Sequence, residues 1–134
     1  MNYFIYLFGL LIMFFGCSKT PNTAPIYEEV PTTMLFILNM ADEIELGNFD
    51  TETQFVDVAG TFNSWEGEHL ESIDDSLYTI TITNVLPNDI IEFKFRIDGD
   101  WENAEFPEGG DNRTYIVEKG DNTLEYCYNQ ETCN

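Results

Sequence analysis

Two tryptophans are the residues of this chain best placed to do chemistry. Trp65 closes the stretch VDVAGTFNSW, Trp101 closes IEFKFRIDGDW, and the chain has only these two tryptophans. Each follows a turn at the end of an alternating run. In the first run Val56 and Val58 alternate with Asp57 and Ala59, Gly60 breaks the pattern, and Asn63-Ser64 supplies turn chemistry. In the second, Ile91, Phe93, Phe95 and Ile97 alternate with Glu92, Lys94 and Arg96, and Asp98-Gly99 is a hairpin signal. An indole is flat and apolar enough to cover the C–H face of a pyranose, while neighbouring amide and charged groups take the hydroxyls. Asn63 lies close to Trp65 in sequence, and the alternation turns Lys94 outward. Core packing in a sandwich is the competing use of each ring, and the residues alone leave both uses open.

Catalytic constellations fare worse. His69 is the single histidine and has no nucleophile near it in sequence. Asp74-Asp75 sits beside Ser76 in a turn, and in a chain with 25 acidic residues such pairs arise from composition alone. No glycine-rich loop follows a strand and opens a helix, so nothing cradles a phosphate. Asp98, Asp100 and Glu102 alternate with Asp111 nearby, as oxygen ligands do in calcium loops. The EF-hand spacing is absent, and Asp98-Gly99 is already accounted for as a turn. The reading is a non-enzyme with no cofactor and no assigned metal.

The elements that must position the tryptophans are strands. The spacing predicts strands over Met34–Met40, Phe55–Ala59, Leu77–Thr83, Ile90–Ile97, Arg113–Val117 and Asn122–Tyr128, with a short edge strand at Glu68–Leu70. A helical turn at Asp42–Leu46 would stop at Gly47. About seven strands without a long helix predict an all-β protein, a β-sandwich.

Domain organisation follows from composition. Residues 1–16 carry no charged side chain and are short for a membrane span, which fits a signal peptide, with an uncleaved N-terminal anchor as the alternative. Gly16-Cys17 resembles a bacterial lipobox, although Phe14 stands where leucine is preferred. That resemblance implies a lipidated Cys17 and a lipid-anchored protein of the cell envelope, on the periplasmic or surface side of the outer membrane. Residues 17–32 read as lipidated cysteine and proline-containing tether, 33–130 as the sandwich, and 131–134 as a C-terminal tail. With Cys17 assigned to lipid, Cys127 and Cys133 remain as a disulfide pair in an oxidising compartment. Five basic residues against 25 acidic ones give a net charge of −20, which repels nucleic acid and suits a neutral ligand.

AGTFNSW, EFKFRIDGDW and the later DNRTYIVE together resemble the family 48 carbohydrate-binding module, the group that includes the glycogen-binding domain of the AMP-activated kinase β subunit. They are also similar to family 20 starch-binding modules. The residues that carry the likeness are Gly60, Phe62, Asn63 and Trp65, then Phe93, Lys94, Phe95, Asp98, Gly99 and Trp101, and finally Asn112. The resemblance spans about Phe55 to Tyr128. It implies an immunoglobulin-like sandwich with Phe62, Phe93 and Phe95 in the core. It also implies Trp65 and Trp101 stacking on α-glucan rings, with Lys94 and Asn112 hydrogen-bonding hydroxyls. The acidic segment Glu66–Ser76 departs from the family and offers no third aromatic platform. The N-terminal stretch FILNMADEIELGNFD is similar to the opening strand of domains in surface proteins of Bacteroidetes-type bacteria. The expectation is therefore a non-catalytic lipoprotein that binds starch or glycogen. A structural or protein-interaction module in an envelope complex, without a glycan ligand, is the alternative, and a calcium-dependent adhesin a third.

Overall fold

Alternation in the first strand sets the architecture. Met34, Phe36 and Leu38 of β1 (Thr33–Asn39) are fully buried on one side, and Leu35 and Ile37 are half-buried on the other. This computed structural model describes residues 31–106 and 110–133. The proposed signal peptide, Cys17 and nearly all of the tether lie outside the described residues. After β1 come a helical turn α1 (Ala41–Glu45), then β2 (Val56–Gly60), β3 (Glu68–His69), β4 (Glu71–Ser72), β5 (Leu77–Ile82), β6 (Ile90–Ile97), β7 (Arg113–Ile116) and β8 (Asp121–Cys127). They form two four-stranded sheets, in the orders β4-β5-β1-β8 and β3-β2-β6-β7. The fold is an all-β sandwich.

Among the described residues eight strands replace the expected seven, because the edge strand predicted at Glu68–Leu70 divides. Leu70 is buried and donates its N–H to Val56 O at 2.9 Å, so the chain passes from one sheet to the other at that residue. The pairing is antiparallel except between β1 and β8, which run parallel with Thr33 opposite Asp121. At that end of the sandwich Thr33 N donates to Gly120 O, and Asn88 and Val117 tie the start of β6 to the end of β7. Between the sheets Phe36 meets Phe93 and Phe95, with Phe62 and Tyr126 packed against them. Cys127 and Cys133 form the disulfide, with Cα atoms 5.2 Å apart. Among the described residues no helix is long and apolar enough to cross a membrane.

Two expectations need correction. The Asp98-Gly99 turn forms, with φ of 55° and 68°, but no strand pairs directly across it; β7, the next antiparallel partner of β6, begins at Arg113. The chain enters a short 3-10 turn, Trp101–Asn103, and first returns to the strand at a bridge between Arg96 and Ala104. Lys94 and Arg96 do leave the core side of β6, as the alternation requires, yet they are only 9% and 4% exposed. Neighbouring loops fold back over that face and put a second covered layer on the sheet.

Candidate functional site

Trp65 is delivered by a turn that the backbone could not hold unaided. Ser64 and Trp65 have φ of 56° and 64°, two successive non-glycine residues in the left-handed region. That is costly for bulky side chains and persists only where surrounding bonds enforce it. Asn63 supplies them: its Oδ1 accepts from Gly60 N and its Nδ2 donates to Val58 O, each at 2.9 Å. Trp65 N then donates to Gly60 O at 2.9 Å. Gly60 has no room for a side chain, since a Cβ there would lie 2.6 Å from Glu92 O and 2.8 Å from Phe93 Cβ. The turn therefore closes tightly and throws the indole back over the sheet. Asn63 is thus a turn-former, with both ends of its amide hydrogen-bonded to the backbone. Asn63→Ala should lower stability by about 1–2 kcal/mol, read as a denaturation midpoint, by removing both bonds.

Trp101 is placed by the other loop. Asp100 Oδ1 accepts from Glu102 N at 3.0 Å and opens the 3-10 turn on which the indole sits. The ring is 51% exposed. Its inner face lies over Arg96, with Cζ 4.4 Å from the ring centre. Arg96 is held by Asp57, Nε to Oδ1 at 2.9 Å and Nη2 to Oδ2 at 2.5 Å, and Nη2 also donates to Glu66 O at 3.2 Å. Arg96 and Asp57 are directly opposed on β6 and β2, so the pair is a cross-strand contact. Its fork geometry fixes the guanidinium plane and so supports a flat surface beneath the indole.

The two indoles meet. Their centres are 5.9 Å apart and their planes are inclined by 50°, with Trp65 half-buried and Trp101 open to solvent. The result is a shallow two-walled aromatic surface on the outer side of the second sheet. Lys94, expected as a hydroxyl donor, is engaged by backbone carbonyls. Its Nζ donates to Gly110 O at 2.7 Å and to Phe106 O at 3.4 Å, which engages the ammonium with the loop above it. Asn112 is exposed and donates to Glu92 Oε2 at 3.1 Å. Of the five residues expected to touch sugar, the structure brings together Trp65 and Trp101, leaves Asn112 on the surface, and engages Lys94 and Asn63 with backbone carbonyl and amide groups.

Two of the four alternating or nearby carboxylates, Asp98 and Asp100, have partners within the protein. Asp98 accepts from Gln54 Nε2 at 2.7 Å and from Phe55 N at 3.2 Å, and Asp100 caps the 3-10 turn. Among the described residues, no three His, Cys, Asp or Glu side chains gather in a way that could hold a metal ion. Lys94, Arg96 and Arg113 are buried, so Lys119 is the exposed cation among the described residues and the surface is almost purely acidic. His69 is exposed on β3 and stacks on Phe55, with ring centres 3.9 Å apart and planes 26° from parallel. From the sequence His69 reads as a lone histidine and Phe55 as the start of a strand. The available signal was the alternation of β2, which puts Phe55 on the same face as Asp57.

No family model matches the chain, and no curated protein matches it. Among solved structures the chain is similar to the crystal structure of Gamma-CGTase from alkalophilic Bacillus clarkii, at 19% identity with a TM-score of 0.46. The match covers 74% of this chain and 15% of that one. What the described residues define is a class: a β-sandwich with an open tryptophan pair on the outer face of one sheet.

Proposed function

We propose that the protein is a non-catalytic α-glucan-binding module, with Trp65 and Trp101 stacking on successive glucose rings. The observation that supports this most is the indole pair itself, 5.9 Å between centres and inclined by 50°, with Trp101 half exposed above a fixed guanidinium. Large aromatic rings exposed at a fixed angle lose little freedom on binding, and a curved saccharide can lie against both. The acidic surface disfavours anionic ligands and leaves neutral glycans acceptable. Asn112 is exposed and would supply a further contact to a hydroxyl. The sequence of residues 1–17 adds the proposal that the module is lipid-anchored at the cell envelope, where it would concentrate glucan for partner proteins.

Trp65→Ala and Trp101→Ala should each weaken retention in glycogen or amylose affinity gels by roughly fivefold or more, with melting temperature little changed. Stacking on one ring contributes about 1–3 kcal/mol, borrowing the scale for bases on aromatic side chains. If both variants migrate like the wild type, the sugar reading is wrong. The alternative, a protein-docking module, then stands on the exposed apolar residues Leu86, Ile90 and Ile116 beside the edge strand β7.

A further inference from the structure

We propose that His69, backed by Phe55, is a third sugar platform beside the tryptophan pair, which makes the site one for an oligosaccharide; this rests on the α-glucan reading above. His69 is the register partner of Asp57, and Asp57 is the partner of Arg96. The three residues lie in one row across neighbouring strands, so His69 is roughly 10 Å from Arg96 along the sheet, two strand spacings. Trp101 sits on Arg96 at one end of the row, and the His69–Phe55 stack occupies the other.

The strip between them is floored by glycine. A Cβ on Gly67 would collide with Arg96 Nη2 and Asp57 Oδ2, and Gly67 takes a φ of 88° that other residues avoid. A Cβ on Gly99 would lie 3.5 Å from Asp57 Oδ2, 3.9 Å from Arg96 Nη2 and 3.9 Å from Phe55 Cζ. Both glycines thus pass over the ion pair as bare backbone, and neither contributes a side chain to the strip. One turn also sets both platforms. Phe55 N donates to Asp98 Oδ1 at 3.2 Å and Asp98 N donates to Phe55 O at 2.9 Å, while the same Asp98-Gly99 turn leads into Trp101. An exposed imidazole is normally free to rotate; lying flat on Phe55, this one is held in a fixed orientation, which lowers the cost of stacking a ligand on it.

Titration calorimetry with maltose and with maltoheptaose tests this. The wild type should bind the longer sugar about threefold to tenfold more tightly, the contribution of one further aromatic contact. His69→Ser should lose that gain while binding maltose, whose two rings fill only the tryptophan pair, as the wild type does, and His69→Phe, which keeps a ring without the imidazole nitrogens, should retain it. A full gain in His69→Ser, or its loss in His69→Phe, overturns the third platform. Equal wild-type affinity for the two sugars overturns it as well and leaves the tryptophan site standing. Binding of neither sugar by the wild type overturns the α-glucan reading and this inference with it.

Discussion

Glu105→Ala is expected to lower the unfolding free energy by about 3–5 kcal/mol, the cost of leaving one half of a buried ion pair without its partner. Glu105 is fully buried, and its carboxylate accepts from Arg113 Nε at 2.9 and 3.1 Å and from Nη2 at 2.8 Å. It also accepts from Phe95 N at 3.0 Å, while Glu105 N donates to Phe95 O at 3.0 Å. The side chain therefore completes the hydrogen bonding of β6 just past the point where β7 stops pairing with it. Arg113 in turn lies against Phe106 and Tyr126 and donates to Cys127 O and Gln130 O, so the pair also anchors the disulfide loop. The alanine variant strands a guanidinium and a backbone N–H together. Urea denaturation would measure the loss, and a change below about 1 kcal/mol would contradict this account. Replacing both members with apolar residues, Glu105→Leu with Arg113→Met, should recover much of it.

Burial pushes the Glu105 carboxyl above the ordinary glutamate range, against the pull of Arg113 and the Phe95 N–H. The sign follows from which state binds the proton first. As pH falls, the folded protein takes up this proton before the unfolded chain does. This group alone therefore adds stability between its raised folded value and the ordinary glutamate value.

Phe36→Ala should cost a comparable amount, about 3–5 kcal/mol. The ring is fully buried on β1 and meets Phe93 at 5.0 Å, and Phe62 and Phe95 at 5.9 Å each, between ring centres. It is a central contact between the two sheets, alongside Tyr126 on Phe93 and Phe95, and smaller neighbours could not close a cavity of that size without shifting both layers. A domain of this size has about 5–15 kcal/mol in total, so the variant would sit near the threshold of folding. A denaturation midpoint within error of the wild type would show that the core can close over the gap. Phe62 lies on the chain between Gly60 and Trp65, so the same variant also reports on how firmly the core holds the tryptophan turn.

Strand periodicity made much of this legible. β1, β2, β5, β6, β7 and β8 fall within a residue of their expected limits, because alternation records which side of a strand faces the core. The disulfide was readable from cysteine arithmetic, and the meeting of the tryptophans from two strand-end turns. Periodicity says nothing of what later covers the opposite side. That is why Lys94 and Arg96 read as solvent-facing and are in fact roofed. The Asp57–Arg96 and Glu105–Arg113 pairs were hidden because each partner is an ordinary charged residue until register sets them face to face. The passage between sheets at Leu70 was hidden for a related reason: a two-residue strand carries too few positions to show a period.

The parallel pairing of β1 with β8 has a consequence for presentation. It places Thr33 at the end of the sandwich where β6 begins, whereas Trp101 stands over Arg96, near where β6 finishes. Six residues of extended chain separate Ile90 from Arg96, roughly 20 Å. A body suspended from its leading residues would hold the paired rings on its distal half, pointing out into the medium like a hand at arm's length and clear of whatever it hangs from.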